Sequence, residues 1–299
     1  MAKTLEAIRA YTANPDAIVA AGEMADMRFK TGETLSLRAA KLFHLLVQAA
    51  GVSVADAKQH RMTFASLNET FHVSIDELEN LADELHSAVL KLRLTDQNGR
   101  VYTKSGPILS DLERDDETLP QAELRFEFSP SLRRAIQDST HWAVISRKAV
   151  LAFESKYTLR IYAALSLRTG LRKTSEAFLL DDFRELLGVP AGSYPRWNNF
   201  RQFVLAPAIA ELNQLAGFIV GYTPLQHGKR IIGVKLTWGV KDGAARVEAL
   251  KELEASKVGR KARREGQVEY ISQAERMERQ EISLALSKLP AQSFPIDDI

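Results

Sequence analysis

At 299 residues, 45% hydrophobic and 26% charged, the chain is long enough for two ordinary soluble domains or one large one. It contains no cysteine, which excludes disulfides, cysteine nucleophiles and cysteine-ligated zinc, and no apolar run approaches the ~20 residues of a membrane helix. The net charge of +2 divides unevenly: residues 142–239 hold thirteen Lys/Arg against six Asp/Glu, a local +7, whereas residues 1–141 stand at −5.

The opening "MAKTLEAIRAYTANPD" lacks the apolar core of a signal peptide, so a cytoplasmic protein with no membrane partner is expected. Residues 1–33 read as one short helix and a strand-like "DMRFK". Thr34–Gly51 carries Leu37, Leu42, Leu45 and Leu46 at helical spacing and ends on a glycine. A short helix, a turn and a longer helix follow, with Ser74 as N-cap and Asp76 and Glu77 in the first turn, where the helix dipole favours them. "DQNGR" (Asp96–Arg100) contains Asn-Gly, a hairpin signal. After the polar "SDLERDDETLPQ", the segment Ala122–Ser129 alternates as a strand with Leu124, Phe126 and Phe128 inward.

The same order then returns. Arg147–Gly170 reads as one long amphipathic helix, and Phe178–Pro190 as a short helix built on Leu180, Phe183, Leu186 and Leu187. Ser193–Gln214 reads as a further amphipathic helix, with Phe200, Phe203, Val204, Ala208 and Leu212 on its buried side. Phe218–Trp238 is a hairpin with a Gly228-Lys229-Arg230 tip and an inward set of Ile232, Val234, Leu236 and Trp238. The chain is therefore predicted to be mainly α with small β-hairpins (α+β): two tandem winged helix-turn-helix domains, residues 1–130 and 131–240, then a charged tail, 241–299. A three-helix pattern alone also fits a small bundle; the basic hairpin tip favours the winged form. The tail's "KVGRKARREG" (Lys257–Gly266) reads as a solvated helix or extension, or else as an arm that contacts phosphates.

Catalytic motifs are missing. "TGLRKTS" lacks the glycine spacing of a phosphate loop. The six histidines are scattered singly, without the triplet of a nickase or two ligands at helical spacing. Asp181 and Asp182 are adjacent on a helix and point apart. No enzyme, metal or cofactor is expected. Binding chemistry is richer. Arg196, Trp197, Asn198, Asn199, Arg201 and Gln202 load the start of one helix with the side chains that pair with guanine and adenine edges. Lys229 and Arg230 at the wing tip suit phosphates or the minor groove, and Lys156, Arg172 and Lys173 complete the candidate DNA-contacting set.

"FEFSPSLRRAI", "SKYTLRIYAAL", "LDDFRELLGVP", "YPRWNNFRQFVLAPAIAELN" and "GKRIIGVKLTW", spanning about Phe126 to Trp238, resemble the Rep_3-type plasmid replication initiators of bacteria. Pro207, inside a helix in the "APAI" segment, is the most specific mark, because a helix-interior proline removes a hydrogen bond and kinks the axis. The resemblance implies a non-catalytic protein that binds origin iterons in double-stranded DNA, opens the origin and recruits host helicase and initiator proteins. It also implies repression of its own promoter and a homodimer in equilibrium with monomer. One departure stands out: the first copy's longer helix carries Asp76, Glu77, Glu79, Asp83 and Glu84, which phosphates would repel. That copy is expected to serve dimerisation or a partner, with Arg100 and Lys104 of its hairpin near the DNA backbone. The alternatives are a stand-alone winged-helix repressor, a nicking relaxase or NTPase, and an adaptor without DNA contact.

Overall fold

The computed structural model describes residues 3–95, 99–115, 121–169 and 173–266. The described residues up to 253 fall in one compact unit and residues 254–266 in a second. The chain opens with α1 (Lys3–Tyr11), β1 (Ala17–Ala21), α2 (Gly22–Ala25) and β2 (Arg28–Phe29). The first helix-turn-helix follows as α3 (Leu37–Ala50), β3 (His60–Thr63), α4 (Phe64–Asn68) and α5 (Ile75–Ser87). Ser36 starts α3 by accepting the Ala39 N–H at 3.1 Å, and Gly51 ends it. Ser74 caps α5 as expected, accepting from the Glu77 N–H at 3.2 Å.

Next come β4 (Leu90–Thr95), β5 (Val101–Gly106), β6 (Leu109–Arg114) and β7 (Glu123–Phe128). β4 and β5 form the hairpin expected around Asn-Gly, paired from Leu90–Gly106 to Thr95–Val101; Asp96, Gln97 and Asn98 lie outside the described residues. The polar segment beyond it contains a strand that hydrophobic alternation does not reveal. β6 pairs with β7, Glu113 stands opposite Arg125, and that guanidinium also reaches Asp115 at 2.8 Å. Cross-strand ion pairs here accompany the apolar pairs Leu109–Phe128 and Leu112–Phe126.

The second half runs through α6 (Pro130–Asp138), β8 (Trp142–Ser146), α7 (Arg147–Ala152), α8 (Lys156–Thr169), β9 (Ser175–Leu179) and α9 (Leu180–Leu187). Then follow α10 (Trp197–Phe200), a π-helical turn (Arg201–Leu205), α11 (Ala206–Leu215), β10 (Phe218–His227) and β11 (Arg230–Val240). The single helix expected over Arg147–Gly170 is broken. Lys41 Nζ donates to the Leu151 and Phe153 carbonyls at 2.9 and 2.6 Å, and the Glu211 carboxylate accepts the Glu154 N–H at 2.6 Å. These contacts satisfy backbone groups at the break, so a new helix can start at Ser155. The short helix expected from Phe178 begins only at Leu180, because Phe178 and Leu179 belong to β9 and pair with β11.

Sheet order exposes the repeat and corrects it. β9, ahead of α9, pairs with β11, giving the order β10–β11–β9. β3, ahead of α4, pairs with β7, giving β6–β7–β3. The wing of the first copy is therefore β6–β7, and β4–β5 is an additional hairpin extended by β2. β1 pairs with β8, stitching the N-terminal segment to the start of the second half. One hydrophobic cluster runs through both copies, with Phe43, Phe126, Phe128, Phe153, Phe183 and Phe200 fully buried. After β11 the chain continues as α12 (Gly243–Glu254) and α13 (Arg260–Arg264). The basic run thus forms a short helix, in which Arg263 donates to the Ser256 and Val258 carbonyls at 2.7 and 3.1 Å.

Candidate nucleic-acid interface

The second helix-turn-helix is held by one arginine. α9 ends at Gly188, whose φ of 65° is left-handed. The turn then passes Tyr194, a non-glycine residue at φ 49°. Arg184 fixes this turn by donating to the Ser193 carbonyl at 3.0 Å and to the Tyr194 carbonyl, while its guanidinium lies 4.8 Å from the Phe200 ring centre. The 197–215 helix therefore leaves a preset turn. Phe200, Val204, Ala208 and Leu212 are buried as the periodicity predicts. Phe203, expected among them, is 57% exposed.

The backbone is irregular here. Pro207 has no N–H to offer the carbonyl four residues back, and its ring crowds that carbonyl. Just before it, over Arg201–Leu205, the helix widens to a π-turn, within which Phe203 is exposed while Val204 and Leu205 are buried. Ile232 is a smaller departure: it is 42% exposed and is the unpaired residue of a bulge, since Leu225 stands opposite Gly233 and Gln226 opposite Ile231.

Arg196, Asn198, Asn199, Arg201 and Gln202 are all exposed on the first turns of this helix, and Trp197 is half-buried with its ring 5.9 Å from that of Phe200. Lys229 and Arg230 are exposed at the wing tip, after Gly228 at φ 60°, the sign a primed hairpin turn requires at its first central residue. Among the described residues no carboxylate pairs with Arg196, Arg201, Lys173, Lys229 or Arg230. Lys173 is exposed just ahead of β9, and Arg172 lies outside the described residues. Lys156 stands apart from this group: it begins α8 and its Nζ is 3.5 Å from Glu33. Lys235, exposed on β11, adds a cation that the motif reading passed over.

Two other basic residues of the second half, Arg168 and Arg160, are structural. Arg168 makes a two-pronged contact to Asp26, at 2.8 and 3.1 Å, and reaches Glu176 at 2.8 Å. Arg160 donates to the Leu186 carbonyl at 3.1 Å and the Met27 carbonyl at 2.5 Å. Burial, reinforced by Arg28, lowers its pKa to about 10, so it stays charged at neutral pH. Arg196, Arg201, Lys229 and Arg230, by contrast, are exposed on the helix start and the wing.

The first copy differs in its chemistry. Glu77 of α5 is gripped by Arg38 at 2.7 and 2.9 Å, Glu79 by Arg114 at 2.6 Å, and Glu84 accepts the Ser36 N–H at 2.5 Å. These carboxylates tie α5 to α3 and β6. The true wing, β6–β7, carries Asp111, Glu113 and Asp115, whereas Lys91, Arg93, Arg100 and Lys104 sit on the additional hairpin.

Family comparisons fall on this frame. The model described as initiator replication protein, WH1, matches residues 17–166, and the one described as initiator Rep protein, WH2, matches residues 179–238. The chain belongs to the Rep_3 family of replication initiators. Among solved structures, it is similar to the Pi initiator protein crystallised in complex with iteron DNA, at 16% identity and a TM-score of 0.54, over 76% of this chain and 98% of that one. At that identity the likeness shows a shared fold. Domains 2 and 3 of RctB also match, at 11% identity and a TM-score of 0.40, over 68% of this chain and 80% of that one. A search of curated proteins finds no match. Among the described residues no helix is long and apolar enough to cross a membrane, and no carboxylate–histidine group is arranged to hold a metal.

Proposed function

We propose that this protein initiates plasmid replication by binding directly repeated sequences, iterons, in double-stranded origin DNA. The start of the 197–215 helix enters the major groove, and the Gly228–Arg230 tip lies on the adjacent backbone or minor groove. The observation that carries this reading is the set of exposed Arg, Asn and Gln side chains at that helix start, with no carboxylate pairing its arginines among the described residues. Arg and Asn/Gln are the residues that read guanine and adenine edges bidentately. The shared fold with the Pi initiator, crystallised on iteron DNA, supports it.

On the same reading the protein acts in the cytoplasm, opens the origin without making or breaking a covalent bond, and recruits host helicase and initiator proteins. It represses its own promoter as a homodimer in equilibrium with monomer. The test joins a salt-dependent binding titration to a plasmid-maintenance assay, using an origin fragment that carries direct repeats. Tight, salt-sensitive binding with maintenance is expected. Binding without maintenance would leave a repressor, and no sequence preference would overturn the reading.

A further inference from the structure

The most unusual side chain on the candidate reading surface is apolar. Phe203 is 57% exposed, one helical turn beyond Asn199 and next to Gln202. A lone exposed hydrophobic residue on an ordinary surface needs no explanation. This one is placed by two independent features. It lies within the π-turn over Arg201–Leu205, and π-turns recur at functional sites. Its ring is backed by Tyr194, centre to centre 6.1 Å and inclined at 32°. Tyr194 is itself held at φ 49° by the Arg184 contact to its carbonyl. The phenyl ring is thus presented on a built support, among side chains suited to base edges.

The major groove offers one apolar group, the C5-methyl of thymine, and phenylalanine is among the side chains that pack on it. We propose that Phe203 is a specificity-determining residue that packs on a thymine methyl, beside the bases read by Asn199 and Gln202. The inference rests on the proposed function, and the two can fail separately. Full-length protein is used to select binding sequences from a random duplex library, and each thymine of the selected site is then replaced in turn by deoxyuridine, which lacks only the methyl. At one position the wild-type protein should lose about three- to fivefold in affinity, the scale of one buried methyl group.

Phe203→Ala should lose a similar factor on the thymine duplex and be indifferent to deoxyuridine there, while Phe203→Leu, still apolar, should keep the preference. Wild-type indifference to every deoxyuridine, or Phe203→Ala retaining the full loss, overturns the assignment. A selection that enriches no sequence overturns the proposed function and this inference with it.

Discussion

Arg201 and Asn198 have their polar ends in solvent, so replacing either removes an interaction with a ligand and leaves no buried group unsatisfied. Arg201→Ala and Asn198→Ala are each expected to weaken binding to the selected sequence by ~1–3 kcal/mol, while thermal stability stays near wild type. Fluorescence anisotropy titrations with specific and scrambled duplexes check this, and an unchanged ratio between the two would remove the residue from base readout. His44 is the opposite kind of residue. It is fully enclosed in α3, its Nδ1 2.7 Å from the Ala40 carbonyl, and burial lowers its pKa from 6.5 to about 4. The unfolded chain takes up a proton near pH 6.5 and the folded chain does so only near pH 4, so stability falls as pH drops through that window. The loss approaches about 3 kcal/mol at its lower end. Urea midpoints at pH 7 and pH 5 should show the decline, and His44→Phe should reduce it without abolishing it, because burial also lowers the pKa of His60.

The elements show where sequence patterns suffice and where they do not. α3, α5, β7 and the β10–β11 wing were legible because apolar spacing, a serine cap or a glycine tip marks each one locally. β6 was hidden because only Leu109 and Leu112 of its six residues are apolar and the bulge between Leu109 and Asp111 breaks their alternation, and the break between α7 and α8 because its stitching groups, Lys41 and Glu211, are remote in sequence. For Phe203 the local signal existed, since Pro207 marks a disturbed helix, but which side chains of that turn face solvent is set by the folded backbone. The wing makes a prediction of its own. Lys229 is exposed at its tip, so Lys229→Ala should weaken specific and scrambled duplexes about equally and lower the salt slope by roughly one. The turn after α9 makes another. A Cβ on Gly188 would lie 2.4 Å from the Thr34 Cβ and 2.6 Å from the Thr34 nitrogen, and its φ of 65° already disfavours side chains. Gly188→Ala should therefore cost about 2 kcal/mol or more. Gly192→Ala, at φ 80° with open space around it, isolates the conformational part at about 1 kcal/mol. Equal urea midpoints for the two variants would show that the Thr34 contact yields freely.

At the scale of the molecule, the question is whether the two winged helices behave as one body. Several contacts between them depend on positions far apart in sequence: Arg168 with Asp26, Arg160 with the Met27 carbonyl, Lys156 with Glu33, and the Thr34 N–H with the Gly188 carbonyl at 3.3 Å. None of these was legible from spacing, which ranks such basic residues as equal contributors to a DNA-facing field. The structure separates them into a structural set and a surface set. Arg168 is the best probe of the first. Its side chain is 10% exposed and holds Asp26 and Glu176 together, so Arg168→Ala leaves two carboxylates facing one another without their cation. Removing one partner of a buried pair costs 3–5 kcal/mol, and the partial exposure of both carboxylates reduces the expected loss here to about 1–3 kcal/mol. Arg168→Lys keeps the charge but not the two-pronged geometry and should fall between. Because one hydrophobic cluster runs through both copies, the wild-type protein should unfold residues 1–253 in a single calorimetric transition. Arg168→Ala should lower its Tm and speed hydrogen exchange at residues 26–29 and 175–179, with non-specific DNA affinity unchanged. Two well-separated transitions in the wild-type protein would show instead that the halves fold independently and that Arg168 joins bodies already stable alone.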